Sequence, residues 1–109
     1  PGGEFLVVEV GGDVVAMGGL AVDGDDLAPG EGELFRVAVD PAHQREGHGS
    51  RVLSGLERAA RERGLDRVVL TTARRQAAAT AFYPAHGYEE VGRERVGDYE
   101  LLRFAKALG

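Results

Sequence analysis

Between residues 34 and 64 the hydrophobic period of the chain switches from two to about 3.6, and Pro41 and two closely spaced glycines mark the switch. Residues 34–39 (LFRVAV) are apolar and partly β-branched, and Pro41, which cannot donate to a ladder, stops the strand they predict. Farther on, Val52, Leu53, Leu56 and Ala60 fall at i, i+1, i+4 and i+8, one apolar stripe of a helix, with the arginines, Glu57 and Glu62 largely on its other faces. Gly64 supplies the stop, and Arg61 and Arg63 suit the negative end of the helix dipole. The intervening stretch HQREGHGSR, residues 43–51, therefore lies where a strand runs into a helix, with Gly47 and Gly49 at the junction.

The same reasoning extends to the rest of the chain. Residues 5–10 and 14–20 are rich in β-branched and apolar side chains around Gly11-Gly12-Asp13, which predicts a hairpin. Residues 23–32 lack apolar periodicity and predict a loop of about ten residues. Residues 68–72 (VVLTT) predict a short buried strand, and residues 76–85 an alanine-rich helix that Pro84 must end or distort. Residues 88–91 and 99–104 predict two last strands. The order is ββ, loop, β, helix, β, helix, ββ, with no repeat or linker, so the expectation is one α/β (α+β) domain over residues 1–109.

Composition removes several classes of function. A formal charge of −5 argues against a nucleic-acid partner bound by phosphate neutralisation, although six arginines between residues 45 and 67 leave room for a local patch that holds one small anion. With no cysteine there is neither a thiol nucleophile nor a Cys-based zinc site, and three scattered histidines make a weak case for metal, so none is expected. No apolar run approaches the roughly 20 residues needed to cross a bilayer. The expectation is a cytoplasmic protein without a membrane partner. The chain opens with Pro1 rather than Met, which suggests a longer parent.

At the junction, a helix N-terminus offers unpaired N–H groups and about half a positive charge, so it can bind an anion by backbone alone. Glycine allows close approach there, and Arg45 and Arg51 can add charge. A plain strand-to-helix turn, with glycine relieving φ and Ser50 capping the helix, would produce the same pattern. Neither the Lys-Ser/Thr of a P-loop nor the third glycine of a dinucleotide fingerprint is present, since Val52 occupies that place.

Gln44, Gly47 and Gly49 form Gln-x-x-Gly-x-Gly, which resembles the acyl-CoA diphosphate signature of the GNAT superfamily of N-acetyltransferases. The preceding Val39-Asp40-Pro41 and the later AFYPAHGY, with Tyr83, Gly87 and Tyr88 in register, are similar to that family's neighbouring elements. The resemblance runs from Phe5 to Phe104 and implies a central mixed, mostly antiparallel sheet with splayed central strands and two flanking helices. A typical member has an extra strand and one or two helices before the hairpin. This sequence lacks them, so an N-terminally truncated domain is expected.

What the resemblance implies about function is specific. Acetyl-CoA would be the cosubstrate, its diphosphate held by the backbone of Arg45, Glu46, Gly47, His48, Gly49 and Ser50, with Gln44 shaping the loop. The pantetheine arm would pair with the backbone of Val37 and Val39. Gln76 stands where the family often has Asn and would hydrogen-bond the cofactor. An amine acceptor would attack the thioester directly, and Tyr83, in the family's tyrosine position, would be the general acid. Packing is the competing role for Tyr83. Glu33, at the mouth of the third strand, is the candidate base, a solvated loop carboxylate being its other reading. Two alternatives to an acetyl-CoA-dependent N-acetyltransferase remain: a non-catalytic acyl-CoA-binding module, and an interaction domain that forms a homodimer through the edge at residues 5–10.

Overall fold

The computed structural model describes residues 3–109. Six strands, β1 (Gly3–Val10), β2 (Asp13–Ala21), β3 (Glu31–Val39), β4 (Arg67–Ala73), β5 (Glu89–Val96) and β6 (Tyr99–Ala107), form one sheet in the order β1-β2-β3-β4-β6-β5. Helix α1 (His48–Glu62) connects β3 to β4, and α2 (Ala77–Ala85) follows β4. The β3–β4 pair is parallel because a helix carries the chain back to the start of the next strand; every other pair is antiparallel. Between β1 and β2, Gly11 and Gly12 both adopt positive φ (60° and 89°), the twist a two-residue hairpin turn needs.

Alternation along the strands sends one set of side chains toward the helices. Ala16, Leu20, Leu34, Val68, Leu70, Leu102 and Phe104 pack there against Val52, Leu53, Leu56 and Ala60 of α1, so the stripe read from the sequence is the buried face. On the opposite face Phe5, Val7, Met17 and Phe35 remain exposed, with the rings of Phe5 and Phe35 at 6.2 Å. Among the described residues no helix is long and apolar enough to cross a membrane.

Three expectations change. Strand β3 begins at Glu31, inside the predicted loop, because residues 31–33 pair with Arg67, Val68 and Val69. Strand β5 runs on to Val96, although all eight of its residues are exposed and most are charged; its ladder to β6 holds it, and no apolar alternation announces it. Glu57, expected off the apolar stripe of the helix, is 6% exposed. Its carboxylate accepts hydrogen bonds from the Tyr88 hydroxyl (2.8 Å) and from Lys106 Nζ (3.0 and 3.2 Å), so a buried charge is paired and fully bonded.

Candidate active site

The loop between β3 and α1 begins with a 3-10 turn at Pro41–His43, capped by the Asp40 carboxylate, which accepts from Ala42 N–H at 2.9 Å. Two residues then take left-handed backbone, Arg45 (φ 66°) and Gly47 (φ 85°), and Gly47 is the N-cap of α1. Alternation of this kind turns successive amides toward one side. Among the described residues no side chain caps α1 and no acceptor takes the N–H groups of Arg45 to Ser50; the first bond of the helix is from Arg51 N–H to Gly47 O, 3.1 Å. Six consecutive donors thus remain free at the positive end of a 15-residue helix.

The two glycines of the motif do different work. A Cβ on Gly47 would meet nothing within 4 Å, so glycine is required there by its φ, and the space before it is open. A Cβ on Gly49 would lie 3.2 Å from Phe82 Cε1 and Val39 Cγ2, so Gly49 lets α1 sit against α2 and the end of β3. Room for a ligand is therefore a property of Gly47, and close packing is that of Gly49. The remaining loop residues follow suit: Gln44, Arg45 and Glu46 are exposed, Ser50 is half-buried and His48 is buried. Glu46 Oε1 lies 3.0 Å from both His43 Nδ1 and His48 Nε2, and these hydrogen bonds, His43 first, lower the carboxyl pKa. The histidines are thus not scattered in space, since two of them clamp one carboxylate.

Strands β3 and β4 pair over three rungs, the last of them Glu33↔Val69, and then part. The fork opens a cleft of about 380 Å³, lined among others by Arg36, Val37, Thr71, Gln76 and Tyr83. Beyond the fork the facing edges of β3 and β4 have no ladder partner across the cleft, so an extended amide chain can hydrogen-bond to them as an inserted strand would. Val39, past the cleft, packs at Gly49 and joins it to the amide loop.

Tyr83, near the end of α2, stands between the core and the cleft. Its ring packs in the core beside Tyr88 and Phe104 (centroids 5.6 and 6.1 Å), and the residue also lines the cleft. Among the described residues its hydroxyl has no hydrogen-bond partner, and burial pushes its pKa up to about 12. Gln76 is exposed at the N-cap of α2, on the cleft wall. Glu33 stands on the last paired rung, and its neighbour Leu34 faces the helices, so Glu33 faces the opposite side and does not line the cleft.

Two features escape sequence reasoning. Between Met17 and Gly19 of β2, β3 carries one extra residue, a bulge at which Arg36 takes φ 53°. Arg36 and Arg45 are the non-glycine residues with positive φ among those described, and both fall in this site. Bulged registers leave no periodic trace, so no sequence signal could have found it. The second is a tie between helix ends: Ser50 Oγ is 2.7 Å from His86 Nε2, while His86 Nδ1 donates to the Phe82 carbonyl at 2.8 Å. His86 caps the end of α2, and it also holds Ser50 in the first turn of α1.

The acetyltransferase (GNAT) family profile matches residues 1–88. Human N-acetyltransferase 8 is 33% identical over 93 residues, covering 84% of this chain and 41% of that protein. The chain spans between 40% and 56% of the curated relatives it matches. The ribosomal-protein-S18-alanine N-acetyltransferase from Escherichia coli superposes with a TM-score of 0.81 at 26% identity, covering 98% of this chain and 70% of that one. The PaiA N-acetyltransferase from Thermoplasma acidophilum, solved in complex with coenzyme A, shares the fold (TM-score 0.81, 17% identity, 97% of this chain and 61% of that one). With a forked sheet, a free amide row at the following helix and these relatives, the chain belongs to the GNAT family of acetyltransferases.

Proposed function

We propose that the chain binds acetyl-CoA and transfers its acetyl group to a primary amine within a ternary complex. The observation that carries this reading is the row of six unpaired amides from Arg45 to Ser50 standing beside the fork of β3 and β4. The amides, with Arg45 and Arg51, suit a diphosphate; the unpaired edges at Val37 and Val39 suit the amide-bearing arm; Gln76 lies where it can hydrogen-bond that arm.

In the reaction the neutral amine attacks the thioester carbonyl carbon. The N–C bond forms, the C–S bond breaks, the nitrogen loses one proton and the CoA thiolate gains one. A main-chain N–H at Val37 or Val39 would stabilise the tetrahedral oxyanion. Tyr83 is the donor toward sulfur. With its pKa raised to about 12 it stays protonated throughout the working range, yet a thiol titrates near 8.5, so full transfer from the phenol would run uphill by about 3.5 pKa units. Tyr83 therefore contributes mainly a hydrogen bond to the leaving sulfur, with the lasting proton drawn from solvent. Glu33, outside the cleft lining, would take the amine proton through water.

Incubating the protein with acetyl-CoA and a panel of amines should release free CoA, detected with a thiol reagent. Tyr83→Phe should lower kcat about 10- to 100-fold, with acetyl-CoA affinity changed less than about twofold. Equal loss in both, or in neither, would assign Tyr83 to packing alone. A cofactor-binding module without turnover is the second reading, favoured by the lack of any carboxylate or imidazole in the cleft lining. Calorimetric binding of CoA with no release from any amine would decide for it.

A further inference from the structure

A second groove, of about 360 Å³, adjoins the cleft, and the two share Ala73 at the end of β4. Its walls come from the segment after β4 and from the β5–β6 hairpin: Arg74, Arg75, Arg95, Asp98, Tyr99 and Glu100. The lining is basic although the chain is acidic. Arg36 of the cleft and the three arginines of the groove face two acids, on a chain of formal charge −5. One of those acids is already engaged, since Glu100 pairs with Arg74 at 2.8 Å and with Arg93 at 3.6 Å.

Arg75 differs from an ordinary surface arginine. Its guanidinium lies over the Tyr99 ring, 4.2 Å from the centroid, and this stacking biases its position. Among the described residues no protein acceptor takes any of its N–H groups, and neither Arg75 nor Arg95 joins an ion pair. A planar fork held on an aromatic face with its donors free is matched to a planar anion that accepts two parallel hydrogen bonds. The left-handed Arg36, at the bulge where the groove's neighbour opens, adds a third uncommitted cation. A concave basic lining of this kind concentrates anions.

We propose that this groove selects acceptors, and that the acceptor is a small amine bearing a carboxylate, with Arg75 as its anchor and Arg95 and Arg36 as supporting charges. The inference rests on the acetyl-transfer reading: the amine would point past Ala73 into the cleft while the carboxylate stays in the groove. Neutral amines would lack the anchor, and strongly cationic amines would be repelled.

The test compares amino acids with their own carboxamides as acceptors, using the full chain and saturating acetyl-CoA. The carboxamide amine is the less basic of the two and is more often neutral at pH 7, so intrinsic reactivity favours it; a preference for the carboxylate must come from the protein. The expected result is a kcat/KM at least tenfold higher for the carboxylate, shrinking as ionic strength rises. In Arg75→Gln the ratio should fall toward one, and Arg75→Lys, which keeps the charge but loses the fork, should lie between. A ratio of one or less in the unaltered protein, or an unchanged ratio in Arg75→Gln, overturns the inference. If no acceptor releases CoA, the acetyl-transfer reading fails by itself, and equilibrium dialysis of the same labelled pair against CoA-loaded protein still decides: tenfold tighter carboxylate binding upholds the groove, and equal binding refutes it.

Discussion

Gly47 and Gly49 stand two residues apart and are glycine for unrelated reasons, which gives them separable phenotypes. Gly47→Ala must hold φ near 85°, costing about 1 kcal/mol in backbone strain, and its methyl enters the open space before the free amides. Acetyl-CoA affinity should fall about tenfold by calorimetry. Gly49→Val instead overpacks Phe82 and Val39, with an expected loss of roughly 2 kcal/mol in urea unfolding. Tyrosines supply a second residue-scale expectation. Burial raises the Tyr83 pKa to about 12, and burial together with the Glu57 carboxylate raises that of Tyr88 still further. Both are acids whose folded pKa exceeds the unfolded value near 10, so the stability they contribute is complete below about pH 10 and drains away as pH climbs toward 12. Tyrosinate absorbance of these two residues should rise together with loss of circular dichroism, and an earlier rise with structure intact would contradict the burial.

Elements are joined here by a few polar ties in addition to apolar packing. Glu57 on α1, Lys106 on β6 and Tyr88 after α2 form one such tie, and Lys106 Nζ also donates to the His86 carbonyl at 3.0 Å. Removing one member of a fully buried pair typically costs about 3–5 kcal/mol. The Lys106 side chain retains 26% of its exposure, so Glu57→Ala should cost less, about 2 kcal/mol, with a matching drop in thermal midpoint. Most elements were legible because their patterns are local: the α1 stripe, the Gly11-Gly12 turn, and Pro84 one residue before the end of α2. Strand β5 was legible only in part. Its exposed charged residues carry no burial alternation, and only the ladder to β6 extends it to Val96.

For the molecule as a whole, the decisive geometry is that β3 and β4 pair for three residues and then separate, leaving a cleft beside the amide row of α1. A ligand that spans both should stabilise the native state over the unfolded chain. Acetyl-CoA at about one hundred times its Kd should contribute about 2.7 kcal/mol and raise Tm by roughly 10 °C or more; no shift would leave the cleft and loop without their ligand. On its own, the sequence determined the element order, the strand-to-helix junction with its glycines and the family motifs, because backbone preference and hydrophobic period act over a few residues. It could not determine the bulge at Arg36, the burial of Glu57, the bond between Ser50 and His86 or the meeting of two cavities at Ala73. Those depend on contacts between residues far apart in the chain, and only the closing of the sheet and its helices into one packed body brings such residues together.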